Sequence, residues 1–231
     1  MPFQPLVTQR LYQRVAEQII ELIRAKELPV GHRVLPERDL AKVLKVSRPV
    51  VREAMIVLEM MGLVEVRTGA GTFVKTATPA VAMDDEGPGP FDIISARILI
   101  EGEVAAVAAD EATADDLAEI AAIHRTFCQE VADRSSTLES DRRFHEAIAR
   151  ATHNSALPGV VDGLWRSQFA PVFAALSRRA GLARNVADTM VAHGRVADAL
   201  QRRDSKEARI AMHAHLEQVM GVLMRDDEEL F

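Results

Sequence analysis

The sequence predicts a mainly α-helical chain in two parts. An amino-terminal winged helix-turn-helix, three helices plus a two-stranded wing, precedes an all-α antiparallel helical bundle. Three observations carry this expectation. Apolar residues recur at three- and four-residue spacing through most of the chain. Strand-like alternation is confined to the residues flanking a glycine-rich turn near position 70. The stretch TATPAVAMDDEGPGP, rich in Ala, Pro, Gly and Asp and without periodicity, has the composition of a linker. The expected divisions are therefore 1–76, a linker over 77–90, and 91–231.

Taken in order, the first helix is expected over residues 8–26, with Leu11, Val15, Ile19, Leu22 and Ile23 on one face. Pro29 and Gly31 end it. Pro36 opens a second helix whose first turn holds Glu37 and Asp39, where negative charge suits the helix dipole. The chain then turns at Lys45 and Val46. Ser47 is placed to cap a third helix, and Pro49 falls in its first turn, where the missing N–H had no intrahelical partner. Val50, Ala54, Val57, Leu58 and Met61 make its expected buried stripe, while Arg48 and Arg52, one turn apart, are expected to project together from another face. Gly62 caps this helix, residues 63–67 alternate as a strand, Thr68, Gly69, Ala70 and Gly71 turn, and residues 72–75 return as a second strand.

Guanidinium groups at the amino-terminal end of a second helix in a helix-turn-helix suit the DNA major groove, because the planar fork matches guanine O6 and N7 or phosphate oxygens. Arg38 lies on the same side of the motif, and a glycine-tipped wing can approach a phosphate or enter a minor groove. The same residues also fit an amphipathic helix with solvated arginines. Charge favours the first reading. The net charge of -6 divides into 12 basic against 8 acidic residues through Thr76 and 16 against 26 beyond it, or +4 and -10. A single winged helix reads few base pairs, so a homodimer on palindromic double-stranded DNA is expected.

Composition bounds the remaining classes. With 48% hydrophobic and 27% charged residues the chain has the balance of a folded globular protein. No apolar run is long enough to span a bilayer, and the opening residues lack a basic segment followed by an apolar core, so no membrane association and a cytoplasmic location are expected. The one cysteine, Cys128, excludes an internal disulfide framework and is expected as a small buried residue.

From Phe91 onward only amphipathic helical segments appear, over 91–111, 113–133, 137–152, 155–179, 185–203 and 205–225. Asp141 and His145, one turn apart, share a face with Leu138, Phe144 and Ile148, and His193 and His215 lie on later helices. One carboxylate and three imidazoles supply the mixed N and O donors that suit Zn, Ni, Mn or Fe. A buried hydrogen-bonded network without an ion fits the same residues. His32, His124, His153 and His213 are expected at the surface or behind the ligands.

Two sets of motifs resemble a known family. LPERDLA and VSRPVVREAMIVLEMMGLVEVRTGAGTFV resemble the DNA-binding domain of the GntR family of bacterial regulators; Pro36 stands where that family places a capping Ser. The resemblance implies that Arg38, Arg48 and Arg52 contact DNA, with Ser47 and Gly69 at the phosphates or groove. DRRFHEAIARATHNSAL, HGRVADALQRRD and ARIAMHAHL resemble the FCD ligand-sensing domain of the FadR branch. That implies a divalent metal, zinc first, held by Asp141, His145, His193 and His215. PFDIISARILIEGEVAA, with ATHNSAL and Trp165, is similar to the hexuronate-responsive repressors. It implies a small carboxylate effector, a sugar acid, paired with Arg97; an Arg97–Glu101 ion pair along the helix fits the same sequence equally.

The function these expectations converge on is a DNA-binding transcriptional regulator, a repressor, controlled by a small carboxylate at a metal site in the helical domain. The alternative is a metal-dependent enzyme fused to a DNA-binding module. Neither Glu-x-x-His nor His-Glu-x-x-His occurs in the chain, so the common helical metalloenzyme signatures are missing and no catalytic residue is expected.

Overall fold

The computed structural model describes residues 10–67, 69–80, 87–168 and 170–225. The expected start of the first helix at Thr8, Thr68 in the turn, residues 81–86 of the linker, Phe169 and residues 226–231 lie outside the described residues. Two compact units part between Gly89 and Pro90.

In the first unit α1 (Leu11–Arg24) and α2 (Glu37–Leu44) both pack on α3 (Arg48–Met60). The buried face of α1 is Tyr12, Val15, Ala16, Ile19 and Ile23. Leu11, expected inside, is exposed, because the helix meets α3 through the neighbouring residue, Tyr12. Helix α2 starts at Pro36 without a side-chain cap, and Lys45 ends it in the left-handed conformation, φ 55°, which makes the tight turn into α3. Ser47 does occupy the N-cap position of α3 with extended backbone, but its side chain makes no capping hydrogen bond. Burial on α3 runs without a break from Val51 to Leu58, since α1, α2 and β1 (Val64–Arg67) enclose it. The expected narrow stripe is therefore too small, and Val50 and Met61 at its ends are only half-buried.

Gly62, at φ +74°, reverses the chain after α3, with the Leu63 N–H donating to the Leu58 carbonyl oxygen at 3.0 Å. Strands β1 and β2 (Gly71–Val74) pair antiparallel, Val64 with Val74 and Arg67 with Gly71. A third extended stretch, absent from the sequence expectation, lies along the other edge of β2: the Gly31 N–H donates to Val74 O at 2.8 Å, Val34 N–H to Thr72 O at 2.8 Å and Val74 N–H to His32 O at 2.9 Å.

The second unit contains α4 (Pro90–Glu111), α5 (Ala114–Ala132), α6 (Leu138–Arg150), α7 (Leu157–Ser167), α8 (Pro171–Arg179), a 3-10 turn (Leu182–Asn185), α9 (Val186–Gln201) and α10 (Ser205–Leu223). Local signals fix several boundaries. Thr113 and Asp116 form a reciprocal capping box at the start of α5, and Asp204 caps α10 through the Glu207 N–H at 3.0 Å. The segment expected as one helix over 155–179 is two. Pro171 sits in the first turn of α8, the position where a residue without an N–H is tolerated. Helix α4 is central, packing against α10, α6, α7, α9 and α8. Val104, Ala105, Ala108 and Ala109 from it join Phe144, Ile148, Trp165, Val196, Leu200, Met212 and Leu216 in a continuous core. No helix among the described residues is long and apolar enough to cross a membrane.

Candidate nucleic-acid interface and metal centre

On the first unit Arg38 is 73% exposed at its side chain, Ser47 and Gly69 are exposed, and Arg48 is half-buried at the start of α3. Gly69 has φ +71°, a left-handed conformation that a residue without Cβ adopts freely. Arg52 corrects the expectation of a projecting pair. Its side chain is only 5% exposed and its Nε donates to Glu37 Oε2 at 2.9 Å, so its guanidinium ties the first turn of α2 to α3. The cause is the enclosure of α3: one turn beyond Arg48 the helix has already passed beneath α2. Neither Glu37 nor its partnership across 15 positions had a signal in the periodicity.

The second unit brings all four expected metal-ligating residues together. Asp141 and His145 come from α6, His193 from α9 and His215 from α10, and one potential ligand atom from each lies within 4.8 Å of all the others. Asp141 Oδ1 is 3.4 Å from His145 Nε2 and 3.3 Å from His193 Nε2. The three imidazoles are buried and pack on one another and on aromatic rings. His193 stacks on Phe144 with centroids 4.2 Å apart and planes at 18°, and lies 4.7 Å from the His215 ring.

The donor set fits a metal ion. Asp141 Oδ1, His145 Nε2 and both His193 nitrogens are enclosed and have no hydrogen-bond partner among the described residues. Buried polar atoms left so are costly unless something binds them. With bonds of about 2.1 Å, two ligand atoms on one ion lie about 3 to 4.2 Å apart, so the set needs to contract by about half an ångström at its widest.

Burial sets the protonation of this cluster. It holds His215 well below the ordinary imidazole range, helped by its neighbours His193 and His145, and lowers His193, so both stay neutral and available as donors. For Asp141 burial acts upward but is outweighed by the His145 and His193 imidazoles, which hold the carboxyl well below its usual range. His145 moves the other way: burial opposes its protonated form, but the Glu101 carboxylate prevails and raises it.

Glu101 is the residue that sequence reasoning left outside the site. It is 2% exposed on α4, its Oε1 lies 2.5 Å from Arg97 Nε, and its Oε2 lies 2.5 Å from His145 Nδ1. Against the effect of burial, Arg97 and His145 hold its carboxyl down to about 2. The available signal was a charged pair one turn apart inside an otherwise apolar helix. Of the two fits open for Arg97, the ion pair with Glu101 is formed, and the guanidinium also lies 4.6 Å from the centre of the Trp165 ring. The remaining histidines stay outside the cluster: His153 faces Asp116 at 3.1 Å, His124 faces the Met190 carbonyl oxygen at 3.1 Å, and His213 packs on Gly102. Cys128 is half-buried beside His124.

Comparisons with known proteins agree with both halves. Residues 11–74 match the family described as bacterial regulatory proteins, gntR family, and residues 92–218 match the FCD domain. The Uxu operon transcriptional regulator of Escherichia coli K12 is 36% identical over 226 residues, covering 94% of this chain and 88% of that protein. The Exu regulon transcriptional regulator of the same organism is 35% identical over 229 residues, with 96% and 88% covered. The solved structure of E. coli McbR/YncC superposes with a TM-score of 0.51 at 20% identity, covering 94% of this chain and 98% of that one, and shows the shared fold. These relatives are regulators and not enzymes. The chain belongs to the GntR family of bacterial transcriptional regulators, with a DNA-binding winged helix-turn-helix followed by an FCD domain.

Proposed function

We propose that this regulator is a cytoplasmic repressor that binds a palindromic operator as a homodimer and is controlled by a small carboxylate, a sugar acid of the hexuronate class, at a metal in its FCD domain. Residues 1–76 serve DNA binding, 77–90 link, and 91–231 sense the effector. Arg38, Ser47, Arg48 and the Gly69 wing tip form the DNA-contacting surface, and Arg52 joins them only by exchanging Glu37 for an acceptor on DNA.

The observation that supports control by an ion is the convergence of Asp141, His145, His193 and His215 through enclosed, unpartnered atoms. One carboxylate and three neutral imidazoles around a divalent ion, zinc first and then nickel, manganese or iron, leave a positive centre. A five- or six-coordinate ion keeps positions that a carboxylate and an adjacent hydroxyl of a sugar acid can fill. Arg97, held by Glu101 through Nε and Nη2, adds positive charge felt at His215, which favours the same anion.

A second reading has one observation in its favour. His145, raised toward its protonated form between Glu101 and Asp141, is able to act as the cation of a metal-free network. That network leaves His193 with a 3.3 Å approach to Asp141 Oδ1 and, like His145, no hydrogen bond of good geometry, and the ion is therefore preferred. Metal analysis of protein purified without chelators, followed by titration of glucuronate and galacturonate into the operator complex, separates the two. About one ion per chain and release of operator by one of these acids are expected. Metal-free protein that still releases operator on adding the acid overturns the ion.

A further inference from the structure

The metal reading, on which this inference rests, leaves the role of one buried carboxylate open. Glu101 is not among the four ligands, yet it touches one of them. Its Oε2 is 2.5 Å from His145 Nδ1, and Arg97 engages the same carboxylate through Nε at 2.5 Å and Nη2 at 3.4 Å. Among the described residues His145 is the one of the three whose Nδ1 has a carboxylate oxygen beside it, at an angle that falls short of a formed hydrogen bond in this arrangement.

We propose that Glu101 is a positioning residue that fixes the tautomer of His145, leaving Nε2 as the metal-binding atom, and that Arg97 is the clamp that holds Glu101 in that orientation. A carboxylate only accepts, and both ring nitrogens of His145 face one; Glu101 Oε2 at 2.5 Å from Nδ1 is the nearer acceptor, against Asp141 Oδ1 at 3.4 Å from Nε2, so the proton of the neutral ring sits on Nδ1. Neutral imidazole has one such proton, and the other nitrogen is then a bare lone pair. That nitrogen is Nε2, which faces Asp141 Oδ1. Arg97 fixes the carboxylate in turn: it is 3% exposed, lies over Trp165, and supplies the positive charge that lets Glu101 stay ionised while His145 is neutral.

The amide of Glu101→Gln has one acceptor and one donor end, which makes the test sharp. Arg97 carries donors only and takes the amide oxygen, which turns the NH2 toward His145 Nδ1. The ring proton is then driven to Nε2, the ligand atom. Zinc affinity of the full chain, read by competition with a chromogenic chelator, is expected to fall by about 10- to 100-fold, the range for lost outer-layer partners of metal ligands. Nitrogen-15 NMR of the metal-free protein at mildly alkaline pH should show His145 as the Nδ1–H tautomer in the wild type and Nε2–H in Glu101→Gln. Adding Arg97→Met to Glu101→Gln frees the amide to present its oxygen to His145, so the Nδ1–H tautomer and most of the zinc affinity should return.

A purely structural ion pair predicts no tautomer switch and no recovery in the double variant, and either result overturns the proposal. So does a wild-type His145 protonated on Nε2, a measurement that needs no variant. Zinc-binding wild type with an indifferent, folded Glu101→Gln protein removes this inference alone. Failure of the wild type to bind zinc removes the metal reading and this role with it.

Discussion

Replacing Arg52 by Ala should destabilise the DNA-binding unit, because this guanidinium is enclosed between α2 and α3. The Arg52 side chain is 5% exposed and its ionic partner Glu37 is 16% exposed, so removing the guanidinium leaves a carboxylate largely cut off from water. Breaking a buried pair by deleting one member costs about 3 to 5 kcal/mol. Partial exposure of Glu37 puts this case at the lower end, about 3 kcal/mol. For a unit of this size each kcal/mol moves the melting temperature by about 4 to 8 °C, so the first thermal transition should fall by more than about 10 °C. Calorimetry of the full chain reads this directly, because the transition of the second unit serves as an internal reference. The pairing itself is isolated by a cycle with Glu37→Gln and Arg52→Met. The double variant, which removes both charges of this pair, should recover much of the loss seen in Arg52→Met. An Arg52→Ala protein that melts with the wild type would refute the placement of this guanidinium between α2 and α3, and would return it to the exposed face.

Three further outcomes are expected. Arg48→Ala should weaken specific operator binding by about 1 to 3 kcal/mol in mobility shifts at physiological salt, and undiminished affinity would remove Arg48 from base reading. The wild type should scatter light as a dimer and footprint two symmetric half-sites, and a monomer protecting one asymmetric half-site would contradict the assembly. Chelated protein should lose stability in its second transition as pH falls below about 6.5, because burial depresses His193 and His215 and the unfolded chain then takes up the protons first. The raised His145 acts in the opposite sense, adding stability below that pH and losing it as pH rises through its folded value, but it is one group against two. A second transition that is unchanged or higher at pH 5.5 than at pH 7.5 would contradict this protonation pattern.

Features that depend on neighbours along the chain were legible in the sequence. The helix start at position 113, Gly62 after α3, and the hairpin around Gly69 are set within a few residues, where capping and turn chemistry decide the outcome. The same holds for Asp141 and His145, since a helix places residues four apart on one face whatever surrounds it. His193 and His215 were picked out as donor types on later helices and by resemblance, but only the packing of α9 and α10 around α6 carries them to the same point. Periodicity assigns residues to a face without saying which element that face will meet, and the remaining differences have this origin. Tyr12 displaces Leu11 because of where α1 meets α3, and Arg52 is enclosed because α2 lies over it and brings Glu37. The strand pairing of residues 31–34 with β2 and the approach of Glu101 on α4 to His145 on α6 are likewise long-range. Local sequence determined which side chains could bind, donate or cap; tertiary packing decided which became partners, because such contacts join residues that the chain itself holds far apart.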